Sequence, residues 1–169
     1  DARYSVRVYD SDPTAAQLEA LRAAADALSA RGVRIDVVQD EAVFAGMLGG
    51  KIKGTSTFAA LICAGARPET AGYIGEAFVL EATAMGLSTC WLGANFSKAG
   101  LKKAVPLAHE EKLVCVISAG KGAQAYTRRK RRSIEELTEL TLEEFEALPQ
   151  WKRTAIECAQ RAPSAINAQ

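Results

Sequence analysis

Apolar residues recur along the chain with two different periods, which predict alternating strands and helices. Val33, Ile35 and Val37 alternate with polar residues, as in a strand with one buried face. Continuous apolar runs of the kind found in buried strands lie at 58–64 and 113–119. Segments with helical spacing separate these runs. The residues alone therefore predict a sheet with layered helices, of either the α/β or the α+β class.

Residues 72–96 carry the most informative pattern. Apolar residues at mostly helical spacing predict a helix with a mostly buried face: Ile74, Phe78, Leu80, Ala82 and Met85. Gly86 should end this helix, because glycine takes a left-handed backbone without steric cost. A short strand at 87–92 then stops at Gly93, which brings bare backbone to the end of a strand. That arrangement suits a flat ligand that needs N–H donors. A core helix packed on a core strand is the simpler interpretation, and these residues alone favour it.

Several helix starts are predicted from capping residues, whose side chains accept hydrogen bonds from the first turn. They are Asp12 followed by Pro13, Ser97, and the capping boxes that begin at Ser133 and Thr141. A last helix is expected from Trp151 to about Arg161, with Pro163 just beyond it.

Composition and charge exclude several classes of partner. The chain has 169 residues, of which 49% are hydrophobic, and its formal net charge is +1, so no overall attraction to nucleic acid or to a membrane surface is expected. No apolar run approaches the ~20 residues that span a bilayer, and no signal peptide is expected. We therefore predict that neither nucleic acid nor a membrane is a partner.

Cysteine and histidine usage points away from metal and hydrolytic chemistry. The four cysteines, Cys63, Cys90, Cys115 and Cys158, show no C-x-x-C spacing. We expect neither a zinc site nor a disulfide framework, and we predict a reducing, cytoplasmic location. His109 is the only histidine and lies in a polar loop, which disfavours a Ser-His-Asp or Cys-His mechanism.

Two basic features are candidates for holding an anion. Arg3, Ser5 and Arg7 alternate with apolar residues, so an extended segment would place two guanidinium groups and a hydroxyl on one side. Such a row suits a phosphate, and a solvated edge is the alternative. Residues 128–132 form a run of five basic residues without an adjoining aromatic platform. This run is a solvated turn, a nucleic-acid or nuclear-localisation segment, or a source of arginines for an anionic ligand.

Four motifs follow one another along the chain. They are Arg3-x-Ser5-x-Arg7; Gly72-Tyr73-x-Gly75-Glu76 leading into residues 86–93; the basic run 128–132; and Ala162-Pro163-Ser164-Ala165-x-Asn167-x-Gln169. In this order they resemble the nitroreductase family of FMN-dependent oxidoreductases. The resemblance is to a subgroup in which two nitroreductase-like repeats are fused, and it covers essentially the whole chain.

The resemblance implies an α+β fold of the nitroreductase type, with a central mixed or antiparallel sheet flanked by helices. It implies an FMN-dependent NAD(P)H oxidoreductase, with ping-pong hydride transfer through flavin N5 to a nitroaromatic, quinone or related acceptor. No side chain has an implied catalytic role, because the flavin carries the chemistry.

The resemblance also implies which residues bind the cofactor. Arg3, Ser5 and Arg7, helped by Arg131 or Arg132, would hold the FMN phosphate and ribityl chain. The backbone at Leu92 and Gly93 would lie against the flavin and present an N–H to N5. The remaining implied residues, from the second repeat, are Ser164, Asn167 and Gln169.

The domain organisation follows from the same resemblance. Residues 1–132 would form one nitroreductase-like repeat, and residues 133–169 a helical linker and the start of a second repeat. The sequence stops at Gln169, where the family continues, so we expect either a pseudo-dimer within a chain or a homodimer. An alternative function is a flavin- or ligand-binding module without turnover, since the second repeat is incomplete.

Overall fold

The computed structural model describes residues 3–45, 52–65, 68–124 and 131–164. The chain divides into a larger unit, Ala2–Tyr126, and a smaller one, Thr127–Gln169.

A five-stranded antiparallel sheet forms the centre of the larger unit. Its strands are β1 (Tyr9–Ser11), β2 (Val33–Gln39), β3 (Thr57–Ala64), β4 (Ser88–Leu92) and β5 (Glu111–Gly122). Strand β5 is central: β3 and β4 both pair with its residues 116–118, so they lie along its two opposite edges. Strand β2 pairs with the outer edge of β3, and β1 pairs with the end of β5. The apolar runs predicted as buried strands are β3 and the inner part of β5.

Helices cover both faces of this sheet. The helices are α1 (Ala15–Leu28), α2 (Pro68–Ala84) and α3 (Lys98–Ala104), and a 3-10 turn spans Glu41–Val43. On one face, Leu21 of α1 and Phe78 of α2 share a buried cluster with Leu61 of β3. On the other face, Leu101 of α3 belongs to a second cluster with Phe58 of β3. The predicted class, α+β with a central sheet flanked by helices, is confirmed.

The start of α1 differs from the prediction. Thr14 caps the helix through a capping box with Gln17, so the prediction that Asp12 is the N-cap is wrong. The carboxylate of Asp12 instead accepts hydrogen bonds from the backbone N–H groups of Ser56 and Thr57, at 2.8 and 2.9 Å. Asp12 therefore ties the start of β3 to the segment before α1, a long-range role that the local sequence does not indicate.

Helix α2 has a narrower buried face than predicted. Ile74, Phe78 and Ala82 are buried at a spacing of four residues, whereas Leu80 is 55% exposed. A helix turns about 100° per residue, so a residue two positions after Phe78 points away from the face that Phe78 buries. The predicted place of Leu80 in the buried face is therefore wrong. Gly86 has a φ of 77°, as its predicted role as a helix terminator requires.

The described residues of the smaller unit form three short helices. They are α4 (Ile134–Thr138), α5 (Leu142–Glu146) and α6 (Gln150–Arg161). The predicted capping boxes at Ser133 and Thr141 are both present. None of the helices in the described residues is long and apolar enough to cross a membrane. The assignment of residues 1–132 and 133–169 to two repeats stays a prediction.

Candidate functional site

The segment before β1 lies beside β4. Ser5 forms an isolated parallel bridge with Thr89, and the N–H of Val6 donates to the carbonyl of Thr89 at 3.0 Å. Because the bridge is parallel, both segments leave it in the same direction. Arg7 follows Ser5 in one segment, and residues 92–93 follow Thr89 in the other. The structure therefore places two of the predicted cofactor-binding segments next to each other.

Alternation predicts that Arg3, Ser5 and Arg7 all lie on one exposed edge, and the structure shows this for only part of the row. Val6 is buried while Ser5 and Arg7 are exposed, as expected for an extended segment. The alternation fails at Val8, which is 41% exposed. There the backbone leaves β4 and pairs with another loop: the carbonyl of Arg7 accepts from the N–H of Lys53 at 3.0 Å.

Arg3 turns toward helix α2 instead of toward solvent. Its side chain is only 10% exposed, and its Nε lies 3.4 Å from Oε1 of Glu76. Burial raises the pKa of the Glu76 carboxyl, and the nearby Arg3 guanidinium and Trp91 indole N–H offset part of that rise. This ion pair joins two motifs that lie more than 70 residues apart in the sequence.

Trp91 packs between β4 and α2, at the residue before Leu92. A Cβ on Gly75 would lie 2.5 Å from Cη2 of Trp91, so the indole and the helix approach each other only because residue 75 is glycine. The Trp91 Nε1 and the Glu76 Oε2 are both buried, and neither has an aligned hydrogen-bond partner among the described residues. The sequence predicted no role for Gly75, Glu76 or Trp91; the glycine one residue before a helical glutamate was the available signal.

Leu92 and Gly93 end strand β4 in different environments. The Leu92 side chain is 2% exposed and belongs to a buried cluster, so it is not available to a ligand, and the Leu92 backbone pairs with Val116 of β5. Gly93 is exposed, and a Cβ built on it would have no heavy atom within 4 Å. No hydrogen bond among the described residues uses the Gly93 N–H. Open space and a backbone donor therefore meet at this strand end.

The remaining predicted site residues belong to the smaller unit. Arg131 donates from Nη1 to the carbonyl of Ala162 at 3.2 Å and from Nη2 to that of Arg161 at 3.3 Å. These contacts bring a cation to the C-terminus of α6, where the helix carbonyls favour positive charge. Arg132 lies near the same helix end, since its carbonyl accepts from Gln160 Nε2 at 2.7 Å.

Ser164 is half-buried and follows this helix end by three residues. The structure thus brings Arg131 and Arg132 close to the segment that leads into Ser164. Asn167 and Gln169 lie outside the described residues, as do residues 128–130 of the basic run.

A protein-family model described as "Putative TM nitroreductase" matches residues 1–169 of this chain. No curated protein matches the sequence. Solved structures share the fold, among them the following three. The first is a "Putative NADH dehydrogenase/NAD(P)H nitroreductase" from Bacteroides thetaiotaomicron, with 18% identity and a TM-score of 0.64 over 80% of this chain and 90% of that one.

The second is a nitroreductase with bound FMN from Desulfitobacterium hafniense, with 17% identity and a TM-score of 0.61 over 78% of this chain and 90% of that one. The third is an FMN-dependent nitroreductase from Clostridium difficile, with 18% identity and a TM-score of 0.58 over 76% of this chain and 88% of that one. At these identities the likeness shows a common fold.

Proposed function

The chain belongs to the nitroreductase family, as its four motifs predicted, and from that premise we propose that it binds FMN and uses it to oxidise NAD(P)H. Family membership over the whole chain is the observation that carries the proposal, and it makes the chain an oxidoreductase by class. The electrons would pass to a nitroaromatic, a quinone or a related small acceptor. Bound FMN would supply the redox chemistry, accepting a hydride at N5 from the nicotinamide and then giving up two electrons.

The exposed part of the N-terminal row fits a phosphate. Ser5 offers a hydroxyl and Arg7 a guanidinium on the exposed side of a segment whose backbone is bonded on both sides. A guanidinium donates through a planar fork that matches a phosphate, and such charge-assisted hydrogen bonds are stronger than neutral ones. Arg3 would add a third group from beside α2. These residues would bind and orient the phosphate and ribityl chain of FMN.

The end of β4 fits the redox-active ring. The Gly93 N–H is a donor without a partner among the described residues, and the space beside its α-carbon is open. A flat ring could approach this backbone closely, and a donor near N5 would favour the electron-rich reduced flavin. The contribution of the chain is thus to position the ring and to exclude water, since hydride transfer needs contact at roughly 3–3.5 Å.

The smaller unit would complete the site from another repeat or another copy. Arg131 and Arg132 would support the phosphate, and Ser164, Asn167 and Gln169 would reach the flavin across a pseudo-dimer or homodimer interface. The motif from Ala162 to Gln169 supports this assignment, since it is the part of the sequence that resembles the start of a second repeat. The cytoplasmic location stays a prediction.

Anaerobic reduction of the reconstituted protein tests the proposal. The protein is loaded with FMN, freed of unbound flavin, and titrated with NADH and with NADPH while the flavin absorbance is followed. We expect one of the two to bleach the absorbance, and an added quinone to restore it. Protein that retains FMN but is reduced by neither would be a binding module without turnover, and protein that retains no FMN would contradict the proposal altogether.

A further inference from the structure

We propose that Glu76 is a positioning residue for the cofactor site: its ion pair with Arg3 fixes where that guanidinium stands, and thereby how tightly the site holds the FMN phosphate. The inference rests on the proposed function, because it assigns Arg3 to the phosphate. It adds a residue on helix α2 that would not itself touch the cofactor.

The burial of Arg3 makes its position depend on its neighbours. A side chain that is 10% exposed is held by the surrounding protein, and the oppositely charged group opposite its Nε is Glu76, at 3.4 Å. A guanidinium has five N–H donors, so a contact through Nε is compatible with further contacts made by the Nη groups. Glu76 can therefore orient Arg3 without replacing a phosphate as its partner.

Glu76 is itself held in place. The Trp91 indole packs against Gly75, the residue directly before Glu76. The Oε2 of Glu76 and the Nε1 of Trp91 are both buried beside this contact. Trp91 belongs to β4, the strand that pairs with the Ser5 segment and ends at Leu92, directly before Gly93. Helix α2 is thereby joined to the two cofactor-binding segments of the larger unit, the N-terminal row and the end of β4.

A contribution to the stability of the fold is a poor explanation for a carboxylate at position 76. The Glu76 side chain is half-buried, and its Oε2 is buried without an aligned hydrogen-bond partner among the described residues, although the Trp91 indole N–H lies near enough to lower the pKa of the carboxyl. A buried acceptor without a partner costs stability, and buried ion pairs seldom stabilise a fold more than apolar residues of similar size. Orienting Arg3 would give the Glu76 carboxylate a functional role, which its contribution to fold stability does not provide.

A double-mutant cycle on FMN binding tests the inference. The FMN dissociation constant is measured by flavin fluorescence for the unchanged protein, Glu76→Gln, Arg3→Ala and the double variant, with thermal unfolding as a check on folding. Glu81→Gln, an exposed change on the same helix, is the matched control. We expect Glu76→Gln to weaken binding about tenfold, which corresponds to about 1.4 kcal/mol. In the Arg3→Ala background the same change should have no further effect, because Glu76 acts through Arg3.

The experiment distinguishes failure of this inference from failure of the proposed function. Equal affinity in Glu76→Gln, or effects of the two changes that multiply, would overturn the inference while leaving the proposed function intact. Absence of FMN binding by the unchanged protein would overturn both. If Glu76→Gln does not fold, Arg3→Lys replaces it: lysine keeps the charge but lacks the second edge of donors, so about tenfold weaker binding is expected, and unchanged binding overturns the inference.

Discussion

Gly75 of helix α2 and Trp91 of strand β4 are in direct contact, and a Cβ on the glycine would lie 2.5 Å from Cη2 of the indole. The same Cβ would lie 3.0 Å from Cδ2 of Leu61 in the central sheet. A side chain at position 75 would therefore collide with both the indole and the central sheet. Trp91 immediately precedes the Leu92–Gly93 backbone, so the contact also fixes the strand end that we assign to the flavin.

Gly75→Ala should destabilise the protein by about 1–3 kcal/mol, the usual effect of overpacking a filled core. Gly72→Ala on the same helix is the matched control, because a Cβ there would meet nothing within 4 Å. That change should stabilise the helix by up to about 1 kcal/mol, since glycine is a poor helix former. Urea unfolding of the three proteins measures both effects. Equal stability of the Gly75 and Gly72 variants would contradict the contact.

Asp12 should make the stability of the larger unit depend on acidic pH. Burial by itself would raise the pKa of this carboxyl, but hydrogen bonds from Thr57, Thr55 and Ser56 together lower it. The unfolded chain then binds a proton more readily than the folded one, so the free energy of unfolding falls as the pH drops below about 4. The contribution of Asp12 is present at neutral pH and lost in acid.

Asp12→Asn should therefore cost about 1–2 kcal/mol at pH 7, as expected when charge-assisted hydrogen bonds to a loop are weakened. The difference from the unchanged protein should shrink as the pH falls below about 4, because the unfolded chain is protonated there first, and it should vanish only below the lowered folded-state pKa of Asp12. Asp26→Asn, an exposed change on α1, serves as the control. Urea unfolding at a series of pH values gives the result, and a difference that stays constant with pH would refute this role.

Gly93 should tolerate a side chain in the fold but not in the cofactor complex. The space around its α-carbon is open, and its φ is not in the left-handed region, so Gly93→Ala and Gly93→Val should change the free energy of unfolding by no more than about 0.5 kcal/mol. The added side chain would occupy the space that we assign to the flavin. We expect FMN affinity to fall progressively from glycine to alanine to valine. Unchanged affinity of the valine variant would place the flavin elsewhere.

Local sequence patterns predicted the elements, whereas the contacts between distant segments were not predictable from them. Periodicity identified β2 and β3, and the capping residues Ser97, Ser133 and Thr141 begin their helices as expected, because both signals act within a few residues. The hydrogen bonds of Asp12 reach residues more than 40 positions away, so its sequence context suggested only a helix cap.

In the candidate site, too, local patterns predicted the segments but not the contacts between distant residues. The motifs predicted the N-terminal row and the end of β4 as cofactor-binding segments, and the structure pairs the N-terminal row with β4 through Ser5 and Thr89. The ion pair of Arg3 with Glu76 could not be predicted, since alternation along an extended segment gave Arg3 the same exposure as Arg7. Only the packing of α2 against that segment distinguishes the two arginines.

A comparison of FMN with riboflavin tests the central claim most directly, because the two ligands differ only by the phosphate. Dissociation constants are measured by calorimetry for the unchanged protein, Arg7→Ala, and Arg22→Ala, an exposed change on α1. We predict that the unchanged and Arg22→Ala proteins bind FMN at least about tenfold more tightly than riboflavin, the scale of a charge-assisted contact, and that Arg7→Ala loses most of this preference. A preference that survives in Arg7→Ala, or an unchanged protein that binds neither ligand, would contradict the account.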